Sequence, residues 1–324
     1  MAISLMNIVH SVEGLTSYDQ PMHLALGVFD GVHVGHQAVM SEAVNAAQKE
    51  SSDMGVAGVV TFEPHPIRVL APERAPRRIL ASIGHKAELL SDVGISVLCV
   101  QEFTLDFASV TAKDFITDLV KSCKDLRSIS VGEDWIFGKD RGGNVQKLKE
   151  WGRELGFEVY AITPVMVAGE RVSSTRIRQA VRDGNLSAAE DMLGRPYDVV
   201  GTVIEGKQLA RQLGFPTANT IVHNEQLPPD GVWALKVTIL DARWAGKTFN
   251  AIGNLGRRPT VEHEGARRLL EIHLFDFTGD IYGIDVEAEF VSYIRKEQKF
   301  SGIEELKAQI ESDVTQVKAS FNKA

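Results

Sequence analysis

Apolar residues in the first half of the chain come in short runs, with stretches of helical spacing between them. His23-Leu24-Ala25-Leu26-Gly27-Val28-Phe29 predicts a buried strand ending at a glycine turn, and 36–50 predicts the helix that follows. A second strand is predicted over 56–62, closed by Pro64 and Pro66. Further on, helices over 85–90, 112–121 and 146–155 alternate with strands over 96–100, 128–131 and 158–163. Short apolar strands alternating with helices imply βαβ units and a parallel sheet, so this half is α/β. Such sheets bind ligands beyond the carboxyl ends of their strands, at helix N-termini.

The pattern changes after residue 172. Helical spacing over 175–192 is interrupted by Asp183-Gly184-Asn185. Strand signals then dominate, over 199–203, 232–239, 269–275 and 284–293, with turns at Pro228-Pro229-Asp230-Gly231 and Thr278-Gly279-Asp280. Only the tail, 302–318, reads as a long helix, with Ser301 as its cap and Ile303, Leu306 and Ile310 on one face. Consecutive strands followed by one helix predict an antiparallel barrel or sandwich. The boundary falls in the helical connector, giving domains over 1–186 and 187–324. Internal repeats and low-complexity tracts are absent from the sequence.

Composition narrows the function classes. At ~100–200 residues per domain, 324 residues agree with two domains. Thirty-five basic against 43 acidic residues leave a formal charge of −8, which disfavours nucleic acid and anionic membrane as partners. Two cysteines, Cys99 and Cys123, cannot build a disulfide framework; both are expected as buried small hydrophobes, and a reducing cytoplasm is the expected location. The N-terminus lacks a basic n-region and meets Glu13 early, and no apolar run reaches the ~18 residues of a membrane span.

The chemistry starts at Gly27-Val28-Phe29-Asp30-Gly31-Val32-His33-Val34-Gly35-His36, which leaves a predicted strand and opens a helix. Free N–H groups and the helix dipole make such a turn an anion site, and Gly31 and Gly35 let backbone approach a phosphate closely. His33 and His36, three apart, can face one side of the first helical turn and donate to a triphosphate, stabilising charge that develops during attack on phosphorus. Phe62 and Phe137 offer flat apolar faces, although a buried core suits a lone Phe equally. Ser173, Ser174 and Thr175 open a helix, so hydroxyls and N–H groups converge on an anion there; Arg178 adds a permanent charge. Asp134 suits either a base or ribose contact or an Asx turn.

In the second half, Gly201 to Gln208 imitates a Walker A loop but ends in Gln208 where Ser or Thr is needed, so a P-loop is rejected. The segment continues through Leu213-Gly214-Phe215-Pro216-Thr217-Ala218-Asn219. Thr217 and Asn219 are two apart, so an extended strand points both oxygens one way; neutral oxygens can complete a Mg²⁺ shell but bind weakly alone. On the strand 270–276, Glu271 and His273 share one face while Ile272 and Leu274 pack the other.

These segments, in order, resemble the bacterial bifunctional riboflavin kinase/FAD synthetase family. The resemblance rests on the HxGH turn, Thr61-Phe62-Glu63-Pro64-His65-Pro66, Val131-Gly132-Glu133-Asp134-Trp135-Ile136-Phe137-Gly138, and Ser173-Ser174-Thr175-Arg176-Ile177-Arg178. In the second half it adds Leu213 to Asn219, Gly231-Val232-Trp233, Asn254 to Thr260, Leu270 to Asp276, and Ile294 to Phe300. It implies a Rossmann-like HxGH nucleotidyltransferase domain and a riboflavin kinase β-barrel with a terminal helix. It also implies riboflavin, FMN, FAD, ATP, ADP and pyrophosphate as ligands, Mg²⁺ as cofactor, and a monomer or weak homo-oligomer. His33, His36 and Glu271 would be catalytic, Glu271 as base toward the ribityl hydroxyl. Gly27, Phe29, Asp30, Gly31, Gly35, Asp134, Ser173, Ser174, Thr175, Arg178, Gly206 and Arg211 would contact nucleotide or phosphate. Phe62, Phe137 and Arg295 would contact flavin, and Thr217 and Asn219 the metal. The chain departs from the pattern at Trp135 and Ile136, where Phe and Arg are common, and at Ala210, where Gly is usual.

Overall fold

The computed structural model describes residues 6–50, 55–206, 214–223, 225–244, 246–258 and 267–321. Two compact units result, one of 1–79 with 83–174, the other of 80–82 with 175–324.

The first unit is a parallel sheet with helices packed on it. Its strands are β1 (Asn7–Val9), β2 (Met22–Leu26), β3 (Val56–Glu63), β4 (Val97–Glu102) and β5 (Leu126–Gly132). A small hairpin, β6 (Ile136–Phe137) and β7 (Gly143–Asn144), precedes the last sheet strand, β8 (Glu158–Ile162); a second hairpin, β9 (Met166–Val167) and β10 (Glu170–Arg171), follows. The helices are α1 (Val34–Gln48), α2 (Pro66–Leu70), α3 (Ile83–Val93), α4 (Leu105–Ala108), α5 (Ala112–Ser122) and α6 (Val145–Leu155). The sheet order is β1-β4-β3-β2-β5-β8, every pairing parallel. After β2 the chain proceeds through β3 and β4 on one side, then returns to lay β5 on the other. The carboxyl ends of β2 and β5 therefore flank the topological switch point where such sheets open a crevice.

All five residues of β2 are buried, as a central strand covered on both faces requires. Its Leu24 and Leu26 share the core with Val60, Cys99, Ile116 and Ile129. Cys99 and Cys123 are both buried, and burial pushes each thiol up to about 12. The three-residue edge strand β1 is too short to show in the hydrophobic pattern.

The second unit begins with α7 (Ser174–Arg182, of which 175 onward belongs here) and α8 (Leu186–Leu193). Its strands are β11 (Asp198–Ile204), β12 (Ala218–Val222), β13 (Gly231–Ile239), β14 (Thr248–Arg258), β15 (Arg267–Leu274) and β16 (Asp285–Arg295). They close into a barrel in the order β11-β12-β15-β14-β13-β16, which decides between barrel and sandwich. The strand pattern did not predict β14, because Gly253, Asn254 and Gly256 interrupt its apolar alternation.

The terminal helix α9 (Ile303–Phe321) corrects one expectation. Ile303 is exposed, and docking falls to the C-terminal half. There Val314, Val317 and Phe321 pack on Val232, Ala234, Ile252 and Phe275. Buried Asp313 interrupts this stripe and is neutralised by Arg295, whose Nη2 lies 2.7 Å from Oδ2 and whose Nε reaches both oxygens at 3.0 Å. A carboxylate in an apolar stripe needs such a partner, which the helical spacing alone does not reveal. Among the described residues, no helix is long and apolar enough to cross a membrane.

Candidate active sites

The turn between β2 and α1 carries the first site. Its backbone takes left-handed angles at Phe29 (φ 51°), Gly31 (φ 82°) and Val32 (φ 43°), so two non-glycine residues are strained. Phe29 and Val32 are buried, which over-determines the turn. The Phe29 ring folds back on Gly27, where a Cβ would come within 2.9 Å of it. Phe29 thus supports the site from beneath and meets the His36 ring edge-on at a centroid distance of 5.3 Å.

His33 is the N-cap of α1, and its Nδ1 accepts from the His36 N–H at 3.2 Å. The two imidazoles stack with centroids 3.5 Å apart and planes 17° off parallel. The expectation that both rings share one side of the first turn is met in the tightest form: the rings touch. Burial holds His36 well below the usual histidine range, and the His33 and Lys86 charges add to the effect. Its Nδ1 is buried with no hydrogen-bond partner among the described residues, an orphaned polar atom that a ligand can satisfy. Asp30 is buried, and its carbonyl accepts from the Ser174 hydroxyl at 2.9 Å, which ties the serine/threonine segment to the turn.

Thr175 and Arg178 stand on α7 in the second unit, Thr175 exposed and Arg178 buried. Asp134, on the loop after β5, is exposed and forms a two-pronged pair with Arg171, one arm at 3.0 Å. That hydrogen bonding holds the Asp134 carboxyl below the usual range.

An aromatic wall adjoins the ends of β3, β4 and β5. Phe62, at the end of β3, is buried among Phe103, Phe107 and Phe115, with centroids 5.9, 6.0 and 6.2 Å away. Phe137 reaches Phe115 at 6.2 Å, and Trp135 stacks on it at 4.0 Å, 13° off parallel. Trp135 thus covers a face of Phe137, and a position singled out as a departure is part of the wall. Sequence reasoning also missed Lys86, buried on α3 with its Nζ 2.9 Å from the Val28 carbonyl. A lysine beside Ala87, Leu89 and Leu90 on an apolar helix is the signal that could have found it.

In the barrel, register assembles what sequence separates. Glu271 on β15 pairs directly with Asn219 on β12 and Asn254 on β14. Cross-strand partners point to the same face, so the three polar side chains form one row. Glu271 and His273 are half-buried while Ile272 and Leu274 are buried, as the alternation predicts. His273 anchors the preceding segment, its Nδ1 lying 2.8 Å from the Pro216 carbonyl. Asn219 is buried against Gly206, where a Cβ would stand 1.8 Å from Asn219 Nδ2. Thr217 is half-buried, directly before β12.

Asn254 donates to Glu297 Oε1 at 3.0 Å, while its own Oδ1 is buried with no partner among the described residues. Glu297 lies over Gly256 and was not singled out from sequence; only its closeness to Asn254 marks it. Arg295 is engaged by Asp313, so its guanidinium ties α9 to the barrel. Arg268, two strand positions before Leu270, pairs with Asp230. Arg211, Lys207, Gln208, Ala210, Leu213, Pro259 and Thr260 lie outside the described residues.

Comparison with known proteins follows the same division. An FAD synthetase family model matches residues 15–176, and a riboflavin kinase family model matches 193–321. A bifunctional riboflavin kinase/FMN adenylyltransferase of Haemophilus influenzae is 37% identical over 317 residues, covering 98% of this chain and all of its own. The protein so described from Escherichia coli K12 is 37% identical over 95% of this chain and 96% of its own, and that of Pseudomonas fluorescens 35% identical over 97% of each. A crystal structure described as a macrolide-efflux protein of Streptococcus pneumoniae superposes with a TM-score of 0.81 at 30% identity, over 97% of this chain and 99% of that one.

Proposed function

The chain belongs to the bifunctional riboflavin kinase/FMN adenylyltransferase family, and from that premise we propose how its residues divide the two reactions. The activities are phosphorylation of riboflavin to FMN by ATP and adenylylation of FMN to FAD with release of pyrophosphate. The kinase step falls to 187–324 and the adenylyl transfer to 1–186.

In adenylyl transfer an FMN phosphate oxygen attacks the α-phosphorus of ATP, and the bond to the β-phosphate breaks. Charge develops on the α-phosphate oxygens and on the departing pyrophosphate. His33 and His36, with the N–H groups opening α1 and the backbone at Gly27, Gly31 and Gly35, stabilise that charge. The stacked histidine pair is the observation that carries this reading: a phosphate bridging the rings would satisfy the orphaned His36 Nδ1. Asp30 and Phe29 hold the turn, Asp134 contacts the nucleotide, and Ser173, Ser174, Thr175 and Arg178 are assigned to its phosphates from the sequence pattern. The aromatic wall around Phe62 and Phe137 suits the isoalloxazine ring.

In the barrel the ribityl hydroxyl attacks the γ-phosphorus of ATP and ADP leaves. Glu271 takes the hydroxyl proton. The donor set fits a hard cation: Asn219 and Thr217 supply neutral oxygens, and the Asn254 Oδ1, one strand beyond Glu271, is buried without a partner among the described residues. Mg²⁺ bound there with ATP would neutralise phosphate charge. Gly206 and Arg211 are assigned to the ATP phosphates, and Arg295 to flavin, from the sequence pattern alone. The family resemblance suggests a monomer or weak homo-oligomer, and two buried free cysteines suit a reducing cytoplasm.

Chromatography of products from riboflavin, ATP and Mg²⁺ tests the whole reading. FMN should accumulate first and FAD after it. H36A should stop at FMN, whereas E271A should make FAD only when FMN is supplied. Loss of both reactions in either folded variant would overturn the assignment.

A further inference from the structure

Lys86 is the one buried lysine among the described residues, and neither reaction as described above uses it. Its Nζ lies 2.9 Å from the Val28 carbonyl and 3.5 Å from Thr61 Oγ1, and Thr61 Oγ1 itself donates to the same carbonyl at 2.9 Å. Two donors from different elements, α3 and β3, thus converge on the residue where the strained turn begins. Left-handed angles at Phe29 and Val32 persist only where surroundings hold them. Burying an ammonium is costly unless it is compensated. The carboxylates of Asp30, from the turn, and Glu63, from the end of β3, both interact with it. Burial pushes the Lys86 ammonium down and those two carboxylates oppose the shift.

We propose that Lys86 is a positioning residue for adenylyl transfer: by holding the Val28 carbonyl it keeps the turn in the course that presents His33 and His36 to the reacting phosphate. The inference rests on the reading of that turn as the adenylyl-transfer site. It assigns Lys86 no contact with nucleotide. A second consequence follows from its charge. His36 is faced by His33 from its own turn and by Lys86 from α3, and both oppose its protonation. Replacing Lys86 by an uncharged side chain raises the pH at which His36 takes a proton.

The test is K86M in the full-length enzyme, with riboflavin phosphorylation at the barrel as the internal control. Misplacing a reacting group by about 1 Å costs on the order of 100-fold in rate. The expected result is therefore a kcat for FAD formation about 100-fold lower, with the KM for FMN within about threefold and FMN formation unchanged. The limb of the pH–rate profile that reports His36 should move to higher pH, which a merely space-filling lysine would not cause, and K86R should return that limb toward its original position. Unchanged kcat and unchanged profile in K86M would overturn the proposal.

If K86M loses its fold, T61V decides instead, because it removes the second donor to the same carbonyl. A fall of about threefold to tenfold in the kcat for FAD formation supports the proposal, and a wild-type kcat overturns it. Failure of the underlying site reading looks different: H36A would then retain FAD formation.

Discussion

On the proposed assignment, the parallel-sheet unit and the barrel build phosphate chemistry in opposite ways. In the first, Gly27 to His36 supply a turn, an N-cap and a stacked pair of imidazoles within ten consecutive residues. In the second, Asn219, Glu271 and Asn254 meet only because β12, β15 and β14 are neighbours in a closed barrel. A helix N-terminus provides oriented donors at short range, so one local segment is nearly sufficient. A barrel face provides a flat array, so its chemistry must be collected from several strands in register. The first site is therefore sensitive to a single turn and whatever pins it, and the second to strand alignment and closure.

The sharpest way to break this comparison is the reciprocal pair of active-site substitutions. H36A should lower FAD formation by about 10²–10³-fold, the cost of removing one preorganised stabilising donor, and leave FMN formation intact. E271A should lower FMN formation by about 10²–10⁴-fold, the range for general-base catalysis, and leave adenylylation of supplied FMN intact. Next in size is closure of the barrel face by α9. D313A leaves the Arg295 guanidinium partly buried and unpaired, and should cost about 3 kcal/mol in urea unfolding monitored within the barrel. Hydrogen exchange along β2 and β5 should be unchanged in that variant.

A smaller effect sharpens the register argument. G206A forces a Cβ into the Asn219 side chain and should lower FMN formation about tenfold or more, with FAD formation from FMN unaffected. An unchanged kinase rate would separate Asn219 from the phosphate-handling face.

The smallest effect is that of pH on the first unit. Burial lowers the His23 value, although Glu50 opposes the shift, and burial lowers His36 as well. The unfolded chain takes up protons near the ordinary value of 6.5 while the folded rings resist them, so stability falls as pH drops below that value. Each ring contributes at most about 1.4 kcal/mol per pH unit to this slope. Hydrogen exchange of β2 and β5 amides between pH 7.5 and 5.5 reads it, and H23Q should flatten part of it.

Much of this molecule is legible in one dimension. Runs such as Met22–Leu26 and Val56–Glu63 are apolar on both faces, and only a central parallel strand or a buried helix accepts that. The HxGH turn is legible for a related reason: capping, glycine spacing and a pair three residues apart are local geometry. Glu271 and His273 opposite Ile272 and Leu274 are likewise fixed by the two-residue period of a strand.

Other features are invisible until the chain is folded. Nothing in 248–258 marks a strand, because Asn254 and the glycines around it serve the face they occupy rather than the pattern. Asp313 looks like a solvent position on α9 and is instead buried against Arg295, 18 residues earlier. Lys86 looks like an ordinary helix lysine and instead grips Val28, 58 residues earlier. Trp135 looks like a substitution within a motif and instead covers Phe137. Periodicity reports which side of an element avoids water. Which charges are buried together, and which strands lie side by side, depends on contacts between segments distant in sequence, and those exist only in three dimensions.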